Sequence, residues 1–366
     1  MSYNRYYYLL IFCFLLVAGC DDDDGVAVPT PEPPQLTEIP DSNDFNRRAF
    51  DILLYEDKML IQAENANFHY RADSTRQGRS ARPTRRCVDG VSTSFLAAVG
   101  SNFIDVFNTS IDRPSNGTLL RFDSISTGMS VPDFNTDFRT SLSSISEDGD
   151  LLLPYWNTIE EKMFFAIAKV DFSPAIPLFF GPPIISDIRT FLFDVPEWRN
   201  YARGVELQTV SGGFLLTLNE PLVRAVYRID YDGTYERVFD NNLEQTFYHQ
   251  GELYGTLDGS SNMELHRADA DGRNWRKAYD LPDDIRFFSR FFPVEDDLFL
   301  QSSSDRSLLL VTELTEGSIR LETLDTPVLD SRTVTDMANF LGDTYVTTLS
   351  GIFRQEALSL RSSRRE

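Results

Sequence analysis

One short motif returns along almost the whole chain, and it constrains the fold more than any other feature. A polar tight turn is followed at once by a brief apolar or alternating run. It reads Tyr55-Glu56-Asp57-Lys58-Met59-Leu60-Ile61 at its first occurrence. It returns at Val99–Ile104, Glu147–Leu153, Ser211–Leu216, Gln250–Tyr254, Glu295–Leu300 and Leu341–Val346. With Lys58, Asn102, Asp150, Gly213, Glu252, Asp297 and Asp343 taken as equivalent, the spacings are 44, 48, 63, 39, 45 and 46 residues. A period of this length marks a supersecondary unit that buries its apolar faces only by stacking on its neighbours.

Each copy continues into further strands. Copy four runs Val223 to Ile229, turns at Asp230-Tyr231-Asp232-Gly233, and resumes from Thr234 to Phe239. Copy five repeats this with Met263 to Arg267, Asp269-Ala270-Asp271-Gly272, and Asn274 to Tyr279. Copy six has Leu308 to Leu314, a turn at Thr315-Glu316-Gly317, and Ser318 to Leu324. Asp-Gly between such runs is a strong hairpin signal, because glycine takes the positive φ that the turn needs. Phe287 to Phe292 reads as an innermost or buried strand. Helical periodicity is nearly absent. The expectation is an all-β chain folded as a seven-bladed β-propeller, with six or eight blades fitting a repeat this loose. The last copy supplies only three strands, so Gln35 to Pro40 is expected to add the fourth and close the ring.

Ala268-Asp269-Ala270-Asp271-Gly272-Arg273-Asn274-Trp275 resembles the Ser/Thr-x-Asp-x-Gly-x-Thr-Trp turn of Asp-box propellers, the superfamily that includes sialidases. It keeps the Gly and Trp spacing and has Ala at both the Ser and the Asp positions. The resemblance implies a propeller. The sialidase members carry an Arg-Ile-Pro strand and an arginine triad; the sequence has no Arg-Ile-Pro, and the triad finds no residue-by-residue match.

The N-terminus carries a separate signal. Arg5 precedes an apolar run from Tyr6 to Gly19, the pattern of an export signal. The run is short for a membrane span, which needs about 20 apolar residues. It ends in Val17-Ala18-Gly19-Cys20, which resembles the lipobox of bacterial lipoproteins and implies that Cys20 is lipidated and begins the mature chain. Asp21 to Asp24 resemble the surface-export signal of Bacteroidota lipoproteins; in enterobacterial lipoproteins an Asp beside the cysteine resembles an inner-membrane retention signal instead. The expected organisation is a signal peptide at 1–19, an acidic and Pro-rich tether at 20–34, the propeller at 35–360 and a basic tail at 361–366. The expected location is the outer membrane, facing the cell surface, with the periplasmic face as the alternative.

The chain carries 56 acidic and 34 basic residues, a formal charge of -22. Such a surface repels nucleic acid and anionic lipid headgroups, so neither is an expected partner. With Cys13 in the signal and Cys20 lipidated, Cys87 stands alone, so no internal disulfide is expected. His69, His249 and His266 lie far apart without a second ligand at metal spacing. No cofactor or metal is expected, and no nucleophile elbow, phosphate loop or dinucleotide fingerprint is present.

Three segments are candidate sites. Arg71, Arg76, Arg79, Arg82, Arg85 and Arg86 form a basic stretch, read as a loop that either docks an anionic glycan or acidic partner or is simply solvated. The long gap between copies three and four, Asp187 to Arg203, holds Trp198, Arg199, Tyr201 and Arg203, a composition common at binding hot spots. Its plainer reading is a loop that buries its own aromatics. The Asp-rich turns at Asp230/Asp232 and Asp269/Asp271 are half of a calcium loop in composition, but plain hairpin turns explain them. The leading expectation is a non-enzymatic envelope protein, membrane-anchored by its lipidated cysteine, that binds a glycan or a protein. A glycan-cleaving enzyme with carboxylates at the funnel, and a scaffold subunit of an envelope complex, are the alternatives.

Overall fold

The computed structural model describes residues 35–39, the strands between 49 and 135, and most of 144–355. Seven antiparallel sheets follow one another along the described chain. Sheet I comprises Ala49–Tyr55, Lys58–Ala63, Ala66–Arg71 and Arg76–Ser80. Sheet II comprises Arg86–Cys87, Phe95–Val99, Phe103–Asn108 and Thr118–Arg121. Sheet III has five strands: Phe134–Asn135, Ser144–Ile145, Asp150–Asn157, Lys162–Phe172 and Pro183–Leu192. Sheet IV comprises Glu206–Val210, Gly213–Glu220, Val223–Asp230 and Tyr235–Phe239, and sheet V Gln245–His249, Glu252–Asp258, Met263–Ala268 and Arg276–Asp280. Sheet VI comprises Arg290–Val294, Asp297–Gln301, Leu308–Thr315 and Ser318–Thr323. Sheet VII takes Val334–Phe340, Asp343–Thr348 and Gly351–Gln355, and its fourth strand is Thr37–Glu38 from the far end of the chain. Glu38 pairs with Phe353 there, and the Ile39 N–H donates to the Ile352 carbonyl at 3.0 Å.

The strands are apolar on both faces because both faces are covered. Along Gly213–Glu220, Phe214, Leu216 and Leu218 enter the layer between sheets III and IV, while Leu215 enters the layer between IV and V. This is the period-2 alternation of a strand, with apolar residues on each side. The III–IV layer holds Phe165, Phe193 and Tyr227, with Phe165 and Phe193 edge to face at 5.0 Å. Phe247, Tyr254 and Phe291 fill the V–VI layer, and Phe292, Phe299, Val346 and Phe353 the VI–VII layer. Ile52, Met59, Ile61, Phe340 and Tyr345 join sheet VII to sheet I. Each such side chain contributes about 1.5–3 kcal/mol on burial. Sheets III to VII stack face to face in chain order and sheet VII packs on sheet I, the arrangement of a β-propeller.

Neighbouring sheets are stitched together by side chains that lie on first strands, except Gln301, which ends the second strand of sheet VI. Thr209 in sheet IV bonds Ser144 and the Ile145 carbonyl of sheet III. The Glu206 carboxylate accepts the Thr246 N–H of sheet V at 3.0 Å. The Gln245 amide donates to the Phe291 carbonyl at 2.7 Å and accepts the Phe291 N–H at 2.9 Å. Gln301 accepts the Val334 N–H at 2.8 Å, and Asp336 accepts the Ile52 N–H at 2.7 Å. An inner strand has no sheet neighbour on its open edge, and these bonds satisfy backbone groups there.

Two expectations change. In the second copy the turn between Val99 and Phe103 joins the second and third strands of sheet II, because Arg86–Cys87 pairs ahead of Phe95–Val99. Its short first strand carries no apolar pattern to announce it. The long gap after copy three is largely strand: Lys162–Phe172 and Pro183–Leu192 are the longest in the molecule's described part and absorb the 63-residue spacing. The described residues contain no eighth sheet.

Candidate binding faces of the propeller

Antiparallel order places the turns between first and second strands, and between third and fourth, at one end of every sheet. The Ser211 N–H bonds the Ala270 carbonyl at 3.2 Å, so these turns sit side by side in sheets IV and V. This end is acidic. The turns at Asp230–Gly233 and Asp269–Gly272 share one geometry: the Gly N–H bonds the first Asp carbonyl at 2.9 and 2.8 Å. Gly272 has φ 82°, and a Cβ there would lie 2.6 Å from Leu215. Trp275 turns its indole N–H back onto the Gly272 carbonyl at 2.9 Å and packs its ring near Phe239.

The charges at this end largely satisfy each other. Arg228, 5% exposed, pairs with Asp230 at 2.6 Å and donates to the Asp271 carbonyl at 2.7 Å. Arg273 bridges Asp271 and Glu236, each at 2.6 Å. Burial alone would raise the Asp271 carboxyl, but the bonds from Arg273 outweigh it and hold it below its ordinary value. Burial, with Asp271 nearby, pushes the Tyr248 hydroxyl up to about 12. Burial lowers His249, against the pull of Asp296 and Asp297. The paired groups, Arg228 with Asp230 and Asp271 and Arg273 with Asp271 and Glu236, tie sheets IV and V together.

The opposite end carries the turns between second and third strands and the connections from sheet to sheet, and it is rich in serine and arginine. Gln301, buried, is its organising residue. Its amide donates to the carbonyls of Arg306 at 3.1 Å and Arg332 at 2.9 Å while accepting from Val334. Arg290 stands directly opposite Gln301 in the sheet. One side chain thus pins the backbones of two arginines, and strand pairing sets the third beside it. Arg290 lies over the Phe292 ring at 5.8 Å and Arg332 over the Phe353 ring at 4.9 Å, so both cap the VI–VII layer. Arg306 is exposed and holds φ 63°, an uncommon backbone state for a residue with a side chain. No carboxylate of the described residues lies within 4.0 Å of any of the three. Asp305, next in sequence, accepts instead from the Ser307 N–H and hydroxyl, which hold it below its ordinary value. Serine hydroxyls surround them: Ser302 bonds Ser304 at 2.8 Å, and Arg332 donates to Ser350 at 2.9 Å.

Of the residues singled out in the sequence, Cys20, Arg82, Arg85, Trp198, Arg199, Tyr201 and Arg203 lie outside the described residues. The stretch read as a basic loop contains strands: Arg79 lies on Arg76–Ser80 of sheet I and Arg86 on Arg86–Cys87 of sheet II. The aromatic gap begins in sheet III, where Phe191 packs against the core and Phe193 is buried. Arg290, Arg306 and Arg332 drew no attention in the sequence. They lie 16 and 26 residues apart, and nothing in the local pattern brings them to one place.

The chain matches no protein-family profile, and no curated protein matches it. Among solved structures, it resembles the extracellular domain of a hybrid two-component system from Bacteroides thetaiotaomicron. The TM-score is 0.52 at 13% identity, over 89% of this chain and 40% of that one. The chain therefore spans about two fifths of that structure. A protein of unknown function from the same organism aligns at TM-score 0.41 and 11% identity, over 84% of this chain and 68% of that one. The Swd1 β-propeller domain of Myceliophteria thermophila aligns at TM-score 0.47 and 6% identity, over 86% of this chain and all of that one (100%). Likeness at such identities is likeness of fold. The chain is a β-propeller, and among its described residues no helix is long and apolar enough to cross a membrane.

Proposed function

We propose that this chain is a lipid-anchored outer-membrane protein, exposed at the cell surface, whose seven-bladed propeller is closed by Thr37–Glu38 and binds a glycan without cleaving it. The observation that carries the binding role is the serine- and arginine-bearing end of sheets VI and VII. There a buried amide pins the backbones of Arg306 and Arg332, and their guanidinium groups, with that of Arg290, meet no carboxylate of the described residues, which suits them to a polar ligand. At the other end the charged groups are occupied with one another, which suits a structural role better than catalysis. Lipidation at Cys20 and the acidic run after it support the placement. The similar Bacteroides structure, itself an extracellular domain, agrees with it. The test is a glycan array probed with the mature lipoprotein in detergent, beside protease shaving of intact cells. Binding to a defined set of glycans without product release, and loss of the protein on shaving, are expected. Silence across the array would overturn the glycan reading. Release of shortened glycan would overturn the non-enzymatic one.

A further inference from the structure

We propose that the arginines capping the VI–VII layer form a subsite for a carboxylated sugar, a uronic acid unit within the glycan. This deepens the glycan-binding reading and rests on it. The chain has 56 acidic residues for 34 basic ones, so an arginine readily meets a carboxylate of its own chain. Elsewhere in the described residues Arg189, Arg228, Arg237, Arg267, Arg273, Arg320 and Arg354 each do so, and the exceptions, Arg224 in sheet IV and Arg276 in sheet V, lie on separate sheets. Arg290, Arg306 and Arg332 do not, although they share one end of two adjacent sheets.

Their settings keep the donors available. A guanidinium lying over an aromatic ring spends its flat face on the ring and leaves its N–H edge free. The Cζ atoms of Arg290 and Arg332 lie 5.8 and 4.9 Å from the Phe292 and Phe353 ring centroids, and Arg332 commits Nη1 to Ser350. Arg306 is exposed on a turn whose carbonyl is pinned by Gln301. The planar fork of a guanidinium matches a planar carboxylate with two parallel hydrogen bonds. The serines then distinguish a sugar from an acidic peptide. Ser350 places a hydroxyl, able to donate and accept, on Arg332, and exposed Ser304 lies on the turn that carries Arg306, as the hydroxyls of a pyranose ring require.

The test is calorimetric titration of the mature lipoprotein in detergent with oligogalacturonate, its methyl ester, sulfated dextran and polyglutamate. Oligogalacturonate is expected to bind at least tenfold more tightly than the other three. Arg306→Gln, at an exposed position with no ring contact, is expected to leave melting unchanged, and Arg290→Gln to give up only its contact with the Phe292 ring; each is expected to weaken binding about tenfold or more, the scale of a charge-assisted hydrogen bond. Arg306→Lys keeps the charge and loses the fork, and is expected to fall between. Equal affinity for the methyl ester would overturn the carboxylate subsite. So would unchanged affinity in both variants, or polyglutamate or sulfated dextran binding as well as the uronate. In each case glycans binding elsewhere on the array would leave the broader reading standing. No binding to any glycan would overturn both.

Discussion

Replacing Gln301 by Met tests whether one buried amide organises the serine- and arginine-bearing end. Met has the length of Gln without its polar atoms, so it fills the same space and removes three hydrogen bonds at once. These are the bonds to the carbonyls of Arg306 and Arg332, at 3.1 and 2.9 Å, and from the Val334 N–H at 2.8 Å. Each net hydrogen bond is worth about 1 kcal/mol, giving a loss of about 3 kcal/mol. In a chain of this size that lowers the melting temperature by roughly 4 °C. The assay is urea unfolding followed by tryptophan fluorescence, with thermal melting alongside. Gln301→Glu sharpens the test. It keeps the acceptor for Val334 but turns a second oxygen towards two carbonyls. The carboxyl is then raised above its unfolded value: the variant is most stable in acid, and stability is lost as pH rises through the raised folded value. A Met variant that loses less than about 1 kcal/mol, with a Glu variant indifferent to pH, would refute the reasoning.

Other perturbations have outcomes as definite. Gly255→Ala places a Cβ 2.6 Å from Leu243 and 2.9 Å from the Trp275 ring, which its bond to Gly272 holds in place, so a loss of about 1–3 kcal/mol is expected in urea unfolding. His249 is held below its ordinary value of 6.5 by burial; its contribution is fully present above that value and lost as pH falls from there through the depressed folded value. The urea midpoint of the protein is therefore expected to fall over that window, and that of His249→Gln to stay flatter; parallel curves would remove His249 from the account. Deleting residues 35–39 strips Thr37–Glu38 from sheet VII and buried Leu36 from the VI–VII layer. It exposes the edge of Gly351–Gln355, so a lower melting temperature and self-association on size-exclusion chromatography are expected.

Much of this architecture could be read from local signals. The Asp-Gly hairpins of sheets IV and V fall where the turn residues place them, because positive φ at Gly233 and Gly272 is a local demand. The pairing of the N-terminal strand followed from a three-stranded last copy. Sheet II was misregistered because Arg86–Cys87 is two residues long and polar at its start, and such a strand exists only through its partner. The arginine cap was invisible for a related reason. Gln301 and Val334 are 33 residues apart, and a lone glutamine in a strand carries no mark of what it will hold.

The stitches between neighbouring sheets have a direction. Glu206, Gln245 and Gln301 each lend an acceptor to an N–H of the sheet that follows in the chain. A chain made from its N-terminus therefore finds, as each of sheets V to VII emerges, the acceptor for its opening strand already in place on its predecessor. The first sheet is the exception. The Ile52 N–H is satisfied by Asp336, 284 residues later, so the earliest sheet to be synthesised is the last to be completed. Until then its edge stands open, and that is the interval in which a nascent chain of this kind is most in need of a chaperone.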